Sequence, residues 1–198
     1  MKNYTYIVGI DEVGRGPLAG PVMVAAFCVP EKSQKKVLEE LEGITDSKKL
    51  TKKRREDYAA KIKSLEQDGL LKVSISAVSA KLIDQEGIVP AINSAVRSSL
   101  KKLNINPAEV FIYLDGGLRA PASYDQETVI KGDSKIWQIG AASVIAKVLR
   151  DRKMIEYAKK YPEYGFEKHK GYGTKLHREN IQKYGICDIH RKSWIKSQ

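Results

Sequence analysis

The stretch GIDEVGRGPLAGPVMVAA, Gly9 to Ala26, begins as a buried strand and then does something costly. Tyr6 to Ile10 suit a core strand, and two adjacent carboxylates, Asp11 and Glu12, follow directly. Next come a glycine-flanked arginine (Gly14-Arg15-Gly16), a proline and a second apolar run. Gly14, Gly16 and Gly20 make a loose G-x-G-x-x-x-G, the spacing of a dinucleotide-binding loop. That motif must open a helix whose N-terminus holds the pyrophosphate. Here VMVAAFCV reads as a strand, so the loop is a hairpin-like connection, and a nicotinamide or flavin site is not expected. Glycines beside Arg15 would instead let the backbone approach a sugar or a phosphate.

Outward from this hairpin, strand and helix signals alternate. TKKRREDYAAKIKSLEQDG has helical spacing through Tyr58, Ile62 and Leu65 and ends at Gly69. LLKVSISAVSA reads as a strand, with Val73, Ile75 and Ala77 alternating against polar neighbours. IVPAINSAVRSSLKKL is a second helix that tolerates Pro90 in its first turn. EVFIYLD is a short apolar strand and ETVIKGD a weaker one. The run from Ser134 to Pro162 is long and helical with a small-residue face, and GTKLHRENIQKYG forms a short final helix. The pattern predicts a mixed α/β sheet covered on both faces. With no repeat or low-complexity linker, residues 1–198 are expected to form one domain, with a C-terminal helical segment from about residue 155.

Composition narrows the partners. With 42% hydrophobic and 30% charged residues the chain reads as globular, and no apolar run approaches the ~18 residues a membrane helix needs. MKNYTYIVGIDE is a poor signal peptide. The formal charge of +11 favours a polyanion, with nucleic acid foremost, although a lysine-rich solubilising surface would give the same count. Cys28 and Cys187 are isolated thiols that suit a reducing cytoplasm, and CDIH (Cys187 to His190) is only half of a zinc site.

Most of the 24 acids lie among lysines and arginines on predicted helices, where a solvated face explains them. Four do not: Asp11 and Glu12 after the first strand, Asp115 after VFIYL, and Asp133 after TVIKG. If the first and fourth strands are parallel neighbours, Asp11 and Asp115 lie roughly 5 Å apart. Close carboxylates repel, and Mg²⁺, an oxygen-seeking ion that bridges carboxylates to phosphates, is the natural compensation. Singly, each acid has an ordinary reading: Asp115-Gly116-Gly117 as a turn, Asp133-Ser134 as a helix cap. Acids at three strand ends of a basic chain make a joint ordinary reading much weaker.

With these residues in view, the chain resembles bacterial ribonuclease HII. The matching segments are GIDEVGRGPLAGPV, TDSKKLT, YLDG, KGD, AASVIAKVLRDRKM and YPEYGFEKHKGYGTKLH, in family order over nearly the whole chain. Arg15 separates it from the sister type, ribonuclease HIII, which lacks that arginine and carries an extra N-terminal domain. Two departures, Gly140 where alanine is usual and Gly87 where asparagine is usual, fall in predicted helical regions. The resemblance implies a ribonuclease H-like fold, a five-stranded mixed sheet flanked by helices with a C-terminal helical segment. It implies endonucleolytic cleavage of RNA joined to DNA, including 5′ of a single embedded ribonucleotide, giving 3′-hydroxyl and 5′-phosphate ends.

By matching position, Asp11, Glu12, Asp115 and Asp133 become the catalytic acids, holding two Mg²⁺ or Mn²⁺ ions during the reaction. Gly14, Arg15 and Gly16 become the loop that senses the ribose 2′-hydroxyl, and Tyr172 the ring that stacks on the neighbouring deoxyribose. Ser47, Lys48 and Lys147 become phosphate contacts. His169 and His177 read as surface histidines or phosphate contacts, and Trp137 and Trp194 as packing residues. A cytoplasmic monomer is expected, with no membrane contact; WIKSQ lacks the aromatic pair of a sliding-clamp peptide. A nuclease confined to long hybrids is the rival enzyme. A basic RNA-binding module is the rival of another class, and it leaves the strand-end acids unexplained.

Overall fold

In the computed structural model, which describes residues 3–195, the hairpin of the opening stretch is the centre of a five-stranded sheet. Strands β1 (Tyr6–Val13) and β2 (Val22–Pro30) pair antiparallel, from Tyr6 opposite Pro30 to Val13 opposite Met23. Strand β3 (Lys72–Val78) adds antiparallel to β2, while β4 (Val110–Asp115) runs parallel to β1 and β5 (Asp125–Val129) parallel to β4. The resulting order is β3-β2-β1-β4-β5.

Seven α-helices lie among the described residues: α1 (Gln34–Glu40), α2 (Lys52–Gln67), α3 (Ala80–Glu86), α4 (Ile88–Leu103), α5 (Trp137–Lys160), α6 (Phe166–His169) and α7 (Lys175–Tyr184). Alternation along the strands sends side chains to two cores. Val8, Ile10, Val24 and Ile112 pack with Ile83, Ile92, Val96 and Leu100 of α3 and α4. Ala25, Phe27 and Val29 pack with Tyr58, Ile62 and Leu65 of α2 and with Ala141, Ala142 and Val144 of α5. No helix among the described residues is long and apolar enough to cross a membrane.

Small residues bring α5 close to the sheet. A Cβ on Gly9 would stand 2.2 Å from the Gln138 carbonyl carbon, so only glycine lets the first turn of α5 rest on β1. Asp11, two residues on, points to the same face and is therefore covered by the helix. Helix α5 runs unbroken through position 155 and ends at Lys160, before Pro162. Tyr164 and Phe166 then stack face to face, their rings 5.3 Å apart, and anchor a smaller core with Ala19, Met154 and Ala158.

Two sequence expectations change. Along β3, the residues sealed against α4 are Ser74, Ser76 and Val78, whereas Val73 and Ile75 are half-buried on the opposite face and Ala77 is exposed. The compact serines admit α4, and hydrogen bonding offsets part of their burial: Ser74 Oγ donates to the Ser99 carbonyl at 2.7 Å. Gly87 is not inside a helix; it joins α3 to α4 at φ 85° and ψ 163°, a conformation essentially reserved for glycine. Gly140 does lie in α5, but a Cβ there would press on the Asp133 carbonyl oxygen at 3.0 Å and on Thr45 Cα at 3.2 Å. The tail expected to lack a clamp peptide lies partly, at residues 196–198, outside the described residues.

Candidate active site

The four expected acids line one pocket of about 150 Å³. Each arrives by a different local route. Strand β1 continues past Ile10 because its ladder with β2 persists, so Asp11 and Glu12 are in the strand, opposite Ala25 and Val24. On the other side β1 runs parallel to β4 up to Ile10 opposite Leu114, which makes Asp11 and Asp115 the next neighbours. Asp115 then turns the chain, its carbonyl accepting from Leu118 N at 3.1 Å, so the ordinary turn reading also holds. Asp133 sits in the 3-10 turn Gly132–Ser134 after β5, and Gly132 N donates to Asp115 Oδ1 at 2.6 Å. The cap of α5 is Ile136, so Asp133 is not used as a helix cap.

Electrostatically this is a cluster short of positive charge. Burial pushes the Asp11 carboxyl well above its usual range, and the charges of Glu12 and Asp115 push it further against an opposing hydrogen bond from Ser143. Glu12 is raised by burial and by Asp115, with Arg15 opposing; Arg15 Nη1 stands 3.5 Å from Glu12 Oε1. Asp133 is raised by burial, then by Asp115 and Asp46, with Lys48 opposing. Carboxylates crowded and buried in this way form an all-oxygen donor set whose repulsion a hard divalent cation relieves. Among the described residues no three carboxylate, imidazole or thiol groups already close into a ligand cage. The acids instead ring an open pocket, which suits ions that keep waters and share substrate oxygens.

The other expected residues surround that pocket unevenly. Ser47, Lys48, Lys147 and Tyr172 line it. Ser47 is buried with its Oγ 3.0 Å from Ser143 Oγ, whereas Lys147 is held to Asp151 at 2.8 Å. Lys48 is exposed, its amide donating to Asp46 Oδ1 at 2.8 Å. Tyr172 is 42% exposed, with its ring 6.0 Å from the Arg150 guanidinium carbon. Gly14, Arg15 and Gly16 do not line the pocket but rim it through the Arg15–Glu12 contact. Gly14 has φ 89°, and a Cβ on it would stand 2.2 Å from Arg150 Nε. A Cβ on Gly16 would meet nothing within 4 Å, so that side of the loop is open.

Several participants escaped the sequence reading. Asp46 and Ser143 belong to the electrostatics of the acids; Asp46 stands beside the expected Ser47 and Lys48, so the DSK run could have signalled it. His169 and His177 are not the surface residues the sequence suggests. His169, His177 and His190 are buried, and His169 stacks on His177 with ring centres 4.4 Å apart. Their partners fix neutral tautomers: Cys187 N donates to His190 Nδ1, His190 Nε2 donates to His177 Nε2 at 3.0 Å, and His177 Nδ1 donates to the Tyr172 carbonyl at 2.9 Å. This relay ends on the residue expected to stack on the sugar. Cys187 Sγ lies 3.1 Å from His190 Nδ1, so CDIH closes on itself rather than forming half of a zinc site. Trp137 packs edge-on to Phe27, and Trp194 packs against the Arg191 guanidinium, as expected of packing residues.

Comparison with known proteins gives a consistent result. The family model described as Ribonuclease HII matches residues 8–197. A Ribonuclease HII of Caldicellulosiruptor bescii is 43% identical over 196 residues, 99% of this chain and 89% of that one. Among solved structures, the ribonuclease HII of the PCNA:RNase HII complex from Archaeoglobus fulgidus superposes with a TM-score of 0.75 at 25% identity, covering 97% of this chain and 96% of that one. Bst-RNase HIII, solved in complex with Mn²⁺, shares the fold with a TM-score of 0.68 at 20% identity, over 93% of this chain and 64% of that one.

Proposed function

The chain belongs to the ribonuclease HII family, metal-dependent hydrolases that cut RNA in RNA/DNA hybrids, and from that premise we propose that it also nicks duplex DNA on the 5′ side of a single embedded ribonucleotide. The products would be a 3′-hydroxyl and a 5′-phosphate. One observation carries the reading: four carboxylates from β1, the end of β4 and the turn after β5 share a pocket with Tyr172, beside an open glycine loop, in a chain of net charge +11.

Asp11, Glu12, Asp115 and Asp133 would hold two Mg²⁺ or Mn²⁺ ions. When bound, such a pair supplies an activated water and charge compensation for the leaving 3′-oxygen. The protein's own residues do the rest. A rigid sheet edge fixes the carboxylates more firmly than a loop could. Ser47, Lys48 and Lys147 would grip phosphates on the pocket wall. The open backbone at Arg15 and Gly16 would hydrogen-bond the 2′-hydroxyl, the group that separates RNA from DNA at a given site. Tyr172, half exposed in the pocket wall, would pack on the next sugar, where a second 2′-hydroxyl crowds the ring. We read residues 1–198 as one catalytic unit acting as a monomer in the cytoplasm, a setting consistent with two free thiols.

The test uses metal-depleted protein with Mg²⁺ or Mn²⁺ titrated back, on three duplexes: one ribonucleotide in DNA, a full RNA strand on DNA, and DNA alone. Cleavage of the first two only, and only with metal, is expected. Cleavage of the long hybrid alone would leave the rival nuclease, and binding without cleavage would leave the binding module.

A further inference from the structure

The Gly14–Gly20 loop is held from behind by a residue 171 positions away in sequence. Arg191 is fully buried, and its guanidinium reaches main-chain carbonyls rather than a carboxylate. Nη2 donates to Gly14 O at 2.5 Å, Nη1 to Arg15 O at 2.8 Å, and Nε to Gly20 O at 3.2 Å. The strand-like segment before it adds to the clasp: Arg191 N donates to Leu18 O, Gly20 N donates to Ile189 O, and Ala19 bridges His190. Arg150, also fully buried, works from the other side, donating to Pro21 O, Ala19 O and Lys170 O. Leu18 N donates to Gly171 O at 2.8 Å, so the loop and the Tyr172 turn are joined directly.

A buried cation is expensive unless its donors are satisfied, and two side by side are worse. Burial and the neighbouring charge of Arg150 lower Arg191 to about 10, which still leaves it charged at neutral pH. A hydrophobic residue would fill the space without that cost. What only arginine supplies is a planar fork able to fix several carbonyls at set angles. In a trans peptide the carbonyl and the following N–H point in opposite directions. Turning the Gly14 and Arg15 carbonyls inward therefore turns the N–H groups of Arg15 and Gly16 outward, to the side where Gly16 is open.

We propose that Arg191 is a positioning residue that aims the loop's outward N–H groups and sets their distance from Tyr172, and so governs the preference for a single ribonucleotide over a run of them. The inference rests on the reading of the loop and Tyr172 given above. Lysine at this position keeps the charge but loses the fork, so the loop loses its aim while the four acids stay in place.

The experiment compares wild type with Arg191→Lys, measuring kcat and KM separately on duplexes with one and with four ribonucleotides. A misaimed contact of this kind costs about tenfold to a hundredfold. That loss is expected in kcat on the single ribonucleotide, with a much smaller loss on the run of four. An equal loss on both substrates, or none, overturns the proposal. Should Arg191→Lys fail to melt cooperatively, Asp84→Ala takes its place. Asp84 accepts from Lys192 N and Ser193 N and so anchors the segment just beyond Arg191. The same substrate-selective loss, smaller in size, is expected there, and an unchanged ratio overturns the proposal. A wild type inactive on the single ribonucleotide would instead sink the functional reading beneath it.

Discussion

The Gly132 amide donates to Asp115 Oδ1 at 2.6 Å, so the acid that ends β4 also holds the turn that presents Asp133. One side chain thus has a charge role toward a metal and a hydrogen-bonding role toward the fold, and substitutions can separate the two.

Asp115→Asn keeps an oxygen that can accept from Gly132 and removes one negative charge from the pocket. The expected result is loss of cleavage with normal folding, and duplex binding that is preserved or tighter because repulsion toward phosphate is relieved. Asp115→Ala should lose the same activity and, in addition, about 1 kcal/mol of stability for the missing hydrogen bond. Cleavage assays paired with thermal melts check both, and near-normal turnover of the asparagine variant in Mg²⁺ would remove Asp115 from the metal site.

Gly14 and Gly16 should part company. Gly14→Ala puts a Cβ at φ 89° and within 2.2 Å of Arg150 Nε and 2.7 Å of Pro21 O. A loss on the order of 1–3 kcal/mol from the backbone conformation alone is expected. Gly16→Ala meets nothing and should melt like wild type, yet lose activity on a single ribonucleotide because the methyl group stands where the sugar must approach. Equal melting temperatures for the two variants would contradict the packing described for Arg150.

The histidine relay predicts a pH effect on stability. Burial lowers His177 and His190 from 6.5 to about 4, so between these pH values the unfolded chain binds more protons than the folded one. Stability is then complete above about pH 6.5 and declines as the pH falls toward about 4. At about 1.4 kcal/mol per tenfold change in proton affinity, each of the two histidines contributes on the order of 3 kcal/mol. Denaturant midpoints measured at pH 7 and pH 4.5 should differ accordingly, and His190→Gln should reduce the difference.

Duplex binding should weaken steeply with salt. A footprint of about six phosphates loses roughly a thousandfold in affinity between about 50 and 200 mM salt. An affinity flat over that range would show that the charge of +11 has no part in binding.

What could be read from the sequence, and what could not, follows from the range of the interactions. The hairpin, the helix faces through Tyr58, Ile62 and Leu65, and the strand-end acids rest on local periodicity and punctuation, and the structure has all of them. The buried face of β3 was misread because the space available under α4, not hydropathy, selects Ser74 and Ser76. Arg150 and Arg191 carry no local signal of their roles, and His169 and His177 read as surface residues. Their burial depends on contacts between the Gly14–Pro21 loop and the last turns of the chain, which no local pattern encodes.

The central claim is that the acids hydrolyse the bond just 5′ of a ribonucleotide whose 2′-hydroxyl the loop holds. Mapping the nick at single-nucleotide resolution, in a strand with one ribonucleotide, tests it most directly. The account predicts an upstream fragment that ends one nucleotide before the ribonucleotide in a 3′-hydroxyl a polymerase can extend, and a downstream fragment that begins with the ribonucleotide bearing a 5′-phosphate. A nick on the 3′ side would contradict it, and so would a 2′,3′-cyclic phosphate end, which would mean that the 2′-hydroxyl is the nucleophile rather than the group recognised.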